Sequence, residues 1–78
     1  MKELLIALAK GLVDFPDDVS VTVDEPDEAG ISVYHLHVNP DDMGRVIGKQ
    51  GRIAKAIRTI MKSAAIRGRE KISVEIDD

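Results

Sequence analysis

The stretch Val46-Ile47-Gly48-Lys49-Gln50-Gly51-Arg52-Ile53 decides the fold, because two glycines interrupt what otherwise has the pattern of a helix. Upstream, Asn39-Pro40-Asp41-Asp42 has the residues of a helix start: an N-cap Asn, a Pro at the first helical position and two carboxylates at the positive end of the dipole. We expect this helix to end at Gly48, since glycine enters the left-handed conformation at little cost. A second helix should begin directly after Gly51, so the stretch predicts a helix, a four-residue turn and a helix.

Both flanking helices have an apolar face in the sequence. Met43, Val46 and Ile47 follow helical spacing before the turn. After the turn, from Arg52 to about Arg67, the residues at core spacing are Ile53, Ala56, Ile57, Ile60 and Ala64. Lys55, Arg58 and Lys62 fall on the opposite face of this helix, and Gly68 is a suitable C-terminal stop.

The rest of the chain predicts one more helix and three strands. Residues 2–13 have the apolar stripe of a helix, which Phe15-Pro16 should end. Alternating apolar residues predict strands at Val19–Val23 and at Ile72–Ile76, and Ile31–Val38 has apolar residues on both faces, as a central strand would. The order is α-β-β-α-α-β. A hairpin should make the first two strands antiparallel, and a crossover through two helices should make the second and third parallel.

This order, with Ile47-Gly48-Lys49-Gln50-Gly51 between two helices, resembles the KH domains, whose GXXG loop binds single-stranded RNA or DNA. The resemblance covers nearly the whole chain and is strongest to the small stand-alone bacterial (KhpA-like) KH proteins. It implies an α+β fold of the type II (prokaryotic) KH class, with three helices packed on one face of a three-stranded mixed sheet. The broader KH pattern often has isoleucine three residues after the second glycine, where this chain has Ala54 with Ile53 beside it.

Charge is strongly segregated along the chain. Residues 44–71 contain nine basic residues and one acidic residue, a net charge of +8, although the whole chain has a net charge of −3. Residues 1–43 carry two lysines against ten acidic residues. A charge run can simply be a solvated face, but cations gathered beside a glycine turn favour a polyanion as partner.

These observations predict an RNA-binding site around the turn. Glycines let a sugar-phosphate chain come close, and KH loops clamp about four nucleotides of backbone. The candidate RNA-binding residues are Arg45, Val46, Ile47, Gly48, Lys49, Gln50, Gly51, Arg52, Ile53 and Lys55. Two simpler interpretations stay open: Ile47 and Ile53 could be core residues, and the glycines could form a helix corner with no ligand. Base specificity should be low, because Phe15 and Tyr34 both lie outside the loop.

Other constellations point away from catalysis. His35 and His37 share one strand face at a spacing that metals use, but no third ligand is evident. Residues 44–50 are similar to a phosphate loop, yet the motif is one residue short and ends in Gln instead of Ser or Thr. The pairs Asp17/Asp18 and Asp41/Asp42 fit turn and N-cap roles. We therefore expect no enzymatic activity, no metal, no cofactor and no small-molecule substrate.

Length and composition set the remaining expectations. Seventy-eight residues allow one domain, a single KH domain over residues 1–78, with a thin core that no cysteine reinforces. No segment reaches the roughly 20 apolar residues of a membrane span, so we expect no membrane partner and a cytoplasmic location. Two functions remain open: a single-stranded RNA-binding protein, or a protein-interaction module with a KH fold and little RNA binding. We expect a dimer, in which Met61 or Ile66 could meet the partner.

The family resemblance adds expectations that the residues alone do not give. It implies a homodimer, or a heterodimer with a larger KH-containing (Jag-type) protein. It also implies work as an RNA chaperone or post-transcriptional regulator in the control of cell elongation and cell-wall homeostasis.

Overall fold

The computed structural model describes residues 1–77, and of residues 49, 50 and 77 the backbone only. Helix α1 spans Lys2–Lys10, and a short 3-10 helix follows at Pro16–Asp18. Strands β1, Ser20–Val23, and β2, Ile31–His37, come before the long helical segment α2, Pro40–Arg67, and strand β3, Lys71–Asp77, comes after it. The predicted order of elements is confirmed.

The sheet has the predicted mixed topology, with β2 in the centre. Strand β1 pairs antiparallel with β2, so that Val21 lies beside Leu36. Strand β3 pairs parallel with β2, so that Val74 lies beside Tyr34. Residues 38–70 form the crossover between the parallel strands, and because it contains α2 it places the helical layer against one face of the sheet.

The core lies between that face and the helices. Leu5 and Ala9 of α1 pack with Leu36 of β2 and with Ile57 and Met61 of α2, and all five side chains are buried. The opposite face of the sheet presents alternate residues, among them Thr22, His35 and Glu75. This architecture is the α+β, type II KH fold.

The predicted helix boundary at Gly48 is wrong, and the boundary residue is Gly51. Segment α2 runs without interruption through Gly48, whereas Gly51 has the left-handed φ of +68°. A straight helix of 28 residues would be about 42 Å long, but the longest dimension of the molecule is 34 Å. The segment therefore turns at Gly51 into a first arm, residues 40–50, and a second arm, residues 52–67.

The predicted core stripe of the second arm is also partly wrong. The buried residues are Ala54, Ile57, Met61 and Ala65, whereas Ala56 and Ile60 are exposed. Apolar residues occur on two adjacent faces of this arm, and periodicity alone does not choose between faces that differ by about 100° of rotation. Met61, expected to be free for a partner, is 0% exposed.

Helix α1 ends earlier than the apolar stripe predicts. Its last residue is Lys10, and Gly11 occupies the C-cap with its N–H bonded to the carbonyl of Ala7. Leu12, expected inside the helix, follows that cap and is exposed. The low helix propensity of glycine explains why the stripe continues further than the helix does.

A buried carboxylate joins this loop to the start of α2. Asp42 is 1% exposed, and its two carboxylate oxygens accept the backbone N–H groups of Asp14, at 3.0 Å, and Phe15, at 3.1 Å. Both N–H groups belong to the segment that connects α1 to the 3-10 helix. Asp42 thus does more than favour the helix dipole: it fixes the first arm against the rest of the molecule.

Candidate nucleic-acid interface

The first arm is held firmly at its start. The Asn39 side-chain oxygen accepts the N–H of Asp41 at 2.7 Å, as the sequence predicts for an N-cap. The Asn39 amide also donates to the Asp18 carboxylate at 2.7 Å. Together with Asp42, these bonds fix where the arm begins and in which direction it runs towards the glycine turn.

Gly44 and Gly48 lie four residues apart in the first arm and therefore on the same face. They line a cavity of about 470 Å³ together with Arg45, Arg52 and Ile53. A Cβ atom built on either glycine would have no described heavy atom within 4 Å, and neither residue has a positive φ. We call the surface formed by Gly44 and Gly48 the glycine shelf.

The glycine shelf has a cost that nothing in the described structure offsets. Glycine in a helix interior is about 1 kcal/mol less favourable per residue than alanine. Close packing or a left-handed backbone would justify that cost, but Gly44 and Gly48 have neither. What the two glycines provide is open space over helical backbone, which is a surface that a ligand's own backbone can approach.

Gly51 has a different role. Its φ of +68° lies in the region that residues with a Cβ rarely adopt. The turn at Gly51 brings Arg52 and Ile53 of the second arm to the cavity that the shelf lines. Glycine is thus needed at position 51 because of the backbone conformation. At position 48 it is needed because a side chain would fill the open space beside it.

Cations surround the shelf on two sides. Arg45 is exposed and forms an ion pair with Asp14, with 2.8 Å between its guanidinium nitrogen and the carboxylate oxygen. Arg52 and Lys55 are exposed on the second arm. Further along that arm, the Arg58 Nε donates to the backbone carbonyl of Val74 on β3 at 3.2 Å, which joins the arm to the sheet edge.

The structure brings together four of the predicted site residues, Arg45, Gly48, Arg52 and Ile53, around one cavity. Val46 is 1% exposed, so its side chain supports the arm from beneath and offers no surface to a ligand. Ile47, next to Gly48 in the chain, is 52% exposed and is not among the residues that line the cavity. The side chains of Lys49 and Gln50, on which the prediction also depends, lie outside the described residues.

Ile53 and Ala54 lie where this chain departs from the usual KH pattern, and they differ in burial. Ala54 is buried, whereas Ile53 is half-buried and lines the cavity. The apolar contribution of the second arm to the cavity therefore comes from Ile53, one position earlier in the chain.

Two residues of the interface were missed from the sequence. Gly44 could have been found, because it lies one helical repeat of four residues before Gly48. Asp14 could not, because it meets Arg45 only through the fold, 31 residues away in sequence.

The two histidines lie away from this interface on the open face of the sheet. The His35 Nε2 lies 2.8 Å from the Asp24 carboxylate, and its Nδ1 lies 3.6 Å from that of Glu75. The His37 ring lies 3.4 Å from the Thr22 hydroxyl. Within residues 1–77, apart from the undescribed side chains, no group of three or more His, Cys, Asp or Glu could hold a metal ion. A search of the described helices for one long and apolar enough to cross a membrane also found none.

The sheet order, the parallel crossover through two helical arms and the glycine turn between them define a KH domain of type II. A family model of the KhpA/KhpB KH domain matches residues 2–76. The chain belongs to this KhpA/KhpB family of KH domains.

Curated relatives match nearly all of the chain. It is 55% identical over 76 residues to "RNA-binding protein KhpA" of Clostridium perfringens (strain 13 / Type A), covering 97% of this chain and 99% of the relative. It is 50% identical over 76 residues to the protein of that name in Listeria monocytogenes serovar 1/2a, covering 97% of both chains. It is 46% identical over 78 residues to that of Halalkalibacterium halodurans, covering 100% of both. The comparison with solved structures gave no match.

Proposed function

We propose that this protein binds single-stranded RNA, with the ligand's sugar-phosphate backbone lying on the glycine shelf. The observation that carries the proposal is the unexplained cost of Gly44 and Gly48, two open glycines inside a helix. The names of the relatives, each an RNA-binding protein, support the same ligand. Binding, not catalysis, is the proposed activity.

Electrostatics supports the same proposal. Arg45 and Arg52 line the cavity, and Lys55 is exposed three residues after Arg52, so positive charge faces solvent where a phosphate can approach the shelf. Phosphate contacts position a nucleic acid but carry no sequence information directly. We expect firm contact with about four nucleotides of backbone and weak discrimination between bases.

Titration of a labelled oligonucleotide at several salt concentrations tests the proposal. The protein should prefer a single strand to a duplex of the same sequence. With about two to four phosphate contacts, log K against log salt should have a slope of roughly −1.5 to −3. No dependence on salt would contradict the proposal and favour a protein-interaction module.

A charge reversal in the turn tests the location of the site. Lys49→Asp with Gln50→Asp should abolish RNA binding, because added carboxylates repel phosphate, and it should leave the circular dichroism spectrum unchanged. The matched control is Lys10→Asp with Ala7→Asp, which makes the same change of charge on exposed positions of α1. If the control loses binding as much as the turn variant does, net charge and not the turn is responsible.

We also propose that the chain pairs with a second copy of itself or with a larger KH protein. Leu4 of α1 and Ile60 of the second arm are exposed large apolar side chains that line one hollow of about 410 Å³. Met61, which was expected to meet the partner, is buried, so we propose this patch as the contact in its place. Ile60→Glu should convert a dimer to a monomer in light scattering, while Lys55→Glu should leave the mass unchanged. A monomer mass for the parent at every concentration, with no copurifying KH protein, would contradict pairing.

The wider role stays a proposal that rests on the family resemblance. In this role the protein, a single KH domain in the cytoplasm, acts with a Jag-type partner as an RNA chaperone or post-transcriptional regulator. The process that it serves is the control of cell elongation and cell-wall homeostasis. Crosslinking the protein to RNA in cells and sequencing the attached RNA would identify its targets. Recovery of no RNA above a Lys49→Asp/Gln50→Asp control would contradict it.

A further inference from the structure

A pocket at the far end of α2 lies away from the glycine shelf and has its own cations. It has a volume of about 420 Å³ and lies between the β1–β2 hairpin and the turn from α2 to β3. Its polar lining comes from Ser32, Tyr34, Arg69, Glu70 and Lys71. We call it the terminal pocket. Its volume is within the range of pockets that hold small organic ligands.

A row of three neighbouring hollows, which we call the furrow, extends from the second arm to the terminal pocket. A hollow of about 300 Å³ between Arg58, Lys62 and the β3 edge shares Ile72 with a second hollow of about 250 Å³. That second hollow shares Lys71 and Ile72 with the terminal pocket. Because neighbouring hollows share lining residues, a chain that leaves the shelf along the basic face of the second arm can follow the furrow to the pocket.

Arg69 lies at the pocket wall because of the way helix α2 ends. Its φ of +56° lies in the left-handed region, where glycine is strongly preferred directly after a helix. The chain has a glycine one position earlier, at Gly68, whose φ is −85°. The Glu70 and Arg69 N–H groups bond to the carbonyls of Ala65, at 2.8 Å, and Ile66, at 3.1 Å, so the left-handed backbone is the C-terminal cap of α2 and places the arginine at the pocket wall.

The other groups of the terminal pocket suit a nucleotide. Burial, together with the nearby carboxylates of Glu70 and Glu3, raises the pKa of the Tyr34 phenol, so the hydroxyl stays protonated and can donate. The Ser32 hydroxyl can donate or accept, and the Glu70 carboxylate can accept an exocyclic amino group of a base. Arg69 and Lys71 supply positive charge for the phosphate, against the single negative charge of Glu70.

We propose that the terminal pocket is a second RNA subsite, which takes one unpaired nucleotide beyond the roughly four that the glycine shelf holds. The base enters the pocket against Ser32, Tyr34 and Glu70, and its phosphate lies on Arg69 and Lys71. This inference rests on the proposed function, since it requires RNA to occupy the shelf. It also predicts that uracil is disfavoured at that nucleotide, because adenine, cytosine and guanine each present an exocyclic amino group to a carboxylate acceptor and uracil does not.

Salt titrations with short and long single-stranded RNA test the subsite. A four-nucleotide RNA should occupy the shelf alone, whereas a ten-nucleotide RNA should reach both sites. The variant Arg69→Gly with Lys71→Gln should make the salt slope of the long RNA shallower by about 0.7, since the one phosphate that both cations hold is no longer neutralised. Binding of the short RNA should not change.

A matched control uses cations outside the furrow. Arg67→Gln with Lys10→Gln also removes two positive charges, but Arg67 lines the separate hollow with Leu4 and Ile60. This control should keep the parent's salt slope with the long RNA. In the Arg69→Gly variant the thermal midpoint should rise, because glycine relieves the left-handed strain. The variant would thus be more stable and yet bind the long RNA less well.

Each outcome is decisive. If the Arg69→Gly/Lys71→Gln variant and the control have the same slope with the long RNA, the terminal pocket is not a subsite, although the proposed function still stands. If neither RNA binds the parent protein, the proposed function fails and the subsite fails with it. Amide shifts of Ser32, Tyr34 and Lys71 that move with the long RNA and not with the short one would locate the contact.

Discussion

The two arms of α2 belong to one helical segment, yet they serve the molecule in opposite ways. The second arm carries four buried residues and packs on the sheet. The first arm carries Gly44 and Gly48 on an open face, and its large apolar residue Ile47 is 52% exposed. Ile57, ten positions after Ile47, is 1% exposed.

This difference separates stability from binding within a single segment. The second arm contains no glycine, and alanine occurs in it four times, which suits a helix that must form and pack. In the first arm, Gly44 and Gly48 lower the helix propensity and leave the backbone accessible. Stabilising substitutions in the first arm should therefore weaken RNA binding. Destabilising substitutions in the second arm should lower both stability and RNA binding.

The same substitution in each arm gives the largest expected contrast. Ile57→Ala should lower the free energy of unfolding by about 2–5 kcal/mol, because it leaves a cavity in the core. In a chain of this size such a loss is a large part of the total stability. Chemical denaturation followed by circular dichroism measures it.

Ile47→Ala is the matched control and should change the free energy of unfolding by less than about 0.5 kcal/mol, as for other surface positions. It should weaken RNA binding, because Ile47 is an exposed apolar side chain next to Gly48 of the shelf. Equal destabilisation by the two substitutions would erase the proposed difference between the arms.

Removal of the buried carboxylate tests how the first arm is fixed. Asp42→Ala leaves the N–H groups of Asp14 and Phe15 without their acceptor. The expected loss is about 1–3 kcal/mol of stability, because two backbone donors in part-buried hydrogen bonds lose their acceptor. Asp41→Ala, at an exposed neighbour, should cost less than about 1 kcal/mol, the size of a helix-dipole interaction. A smaller loss for Asp42→Ala than for Asp41→Ala, in denaturation curves, would show that the clamp does not hold the arm.

Release of Arg45 should give the smallest effect. Asp14→Asn removes the charge that pairs with Arg45 at 2.8 Å but keeps the backbone N–H that binds Asp42. An exposed ion pair is worth at most about 1 kcal/mol, so stability should change little, while RNA binding should tighten up to about fivefold because Arg45 is freed for phosphate. Anisotropy titrations measure the change, and weaker binding would mean that the ion pair orients Arg45 for RNA.

Much of this fold follows from local sequence signals, and what does not follow depends on long-range contacts. Asn39 and Pro40 mark the start of α2, and the alternation from Ile72 to Ile76 marks β3. Both signals are local, because a helix cap and the periodicity of a strand depend on residues that are neighbours in the sequence. The first helix was expected to end at Gly48, at the start of a four-residue turn, whereas the chain turns at Gly51, because either glycine of the motif can adopt a left-handed φ. The buried face of the second arm depends on how that arm packs on the sheet, which periodicity alone does not determine, so Met61 was placed outside the core.

The candidate site divides in the same manner. The glycines and cations of residues 45–55 are evident from their spacing and charge. The Arg45–Asp14 pair, the Asp42 clamp and the furrow that ends at Arg69 and Lys71 exist only once distant segments meet, and no local pattern predicts them.

The most direct test of the account is a pair of measurements on one variant, Gly44→Ala with Gly48→Ala. A Cβ at either position meets no described atom, so alanine should raise the free energy of unfolding by about 1–2 kcal/mol. The same two methyl groups occupy the shelf, so single-stranded RNA should bind at least about tenfold more weakly, a loss near 1.4 kcal/mol. Ser63→Ala, at an exposed position of the second arm, is the control for helix propensity without a change in binding. A double-glycine variant that is more stable and binds RNA as tightly as the parent would contradict the central claim.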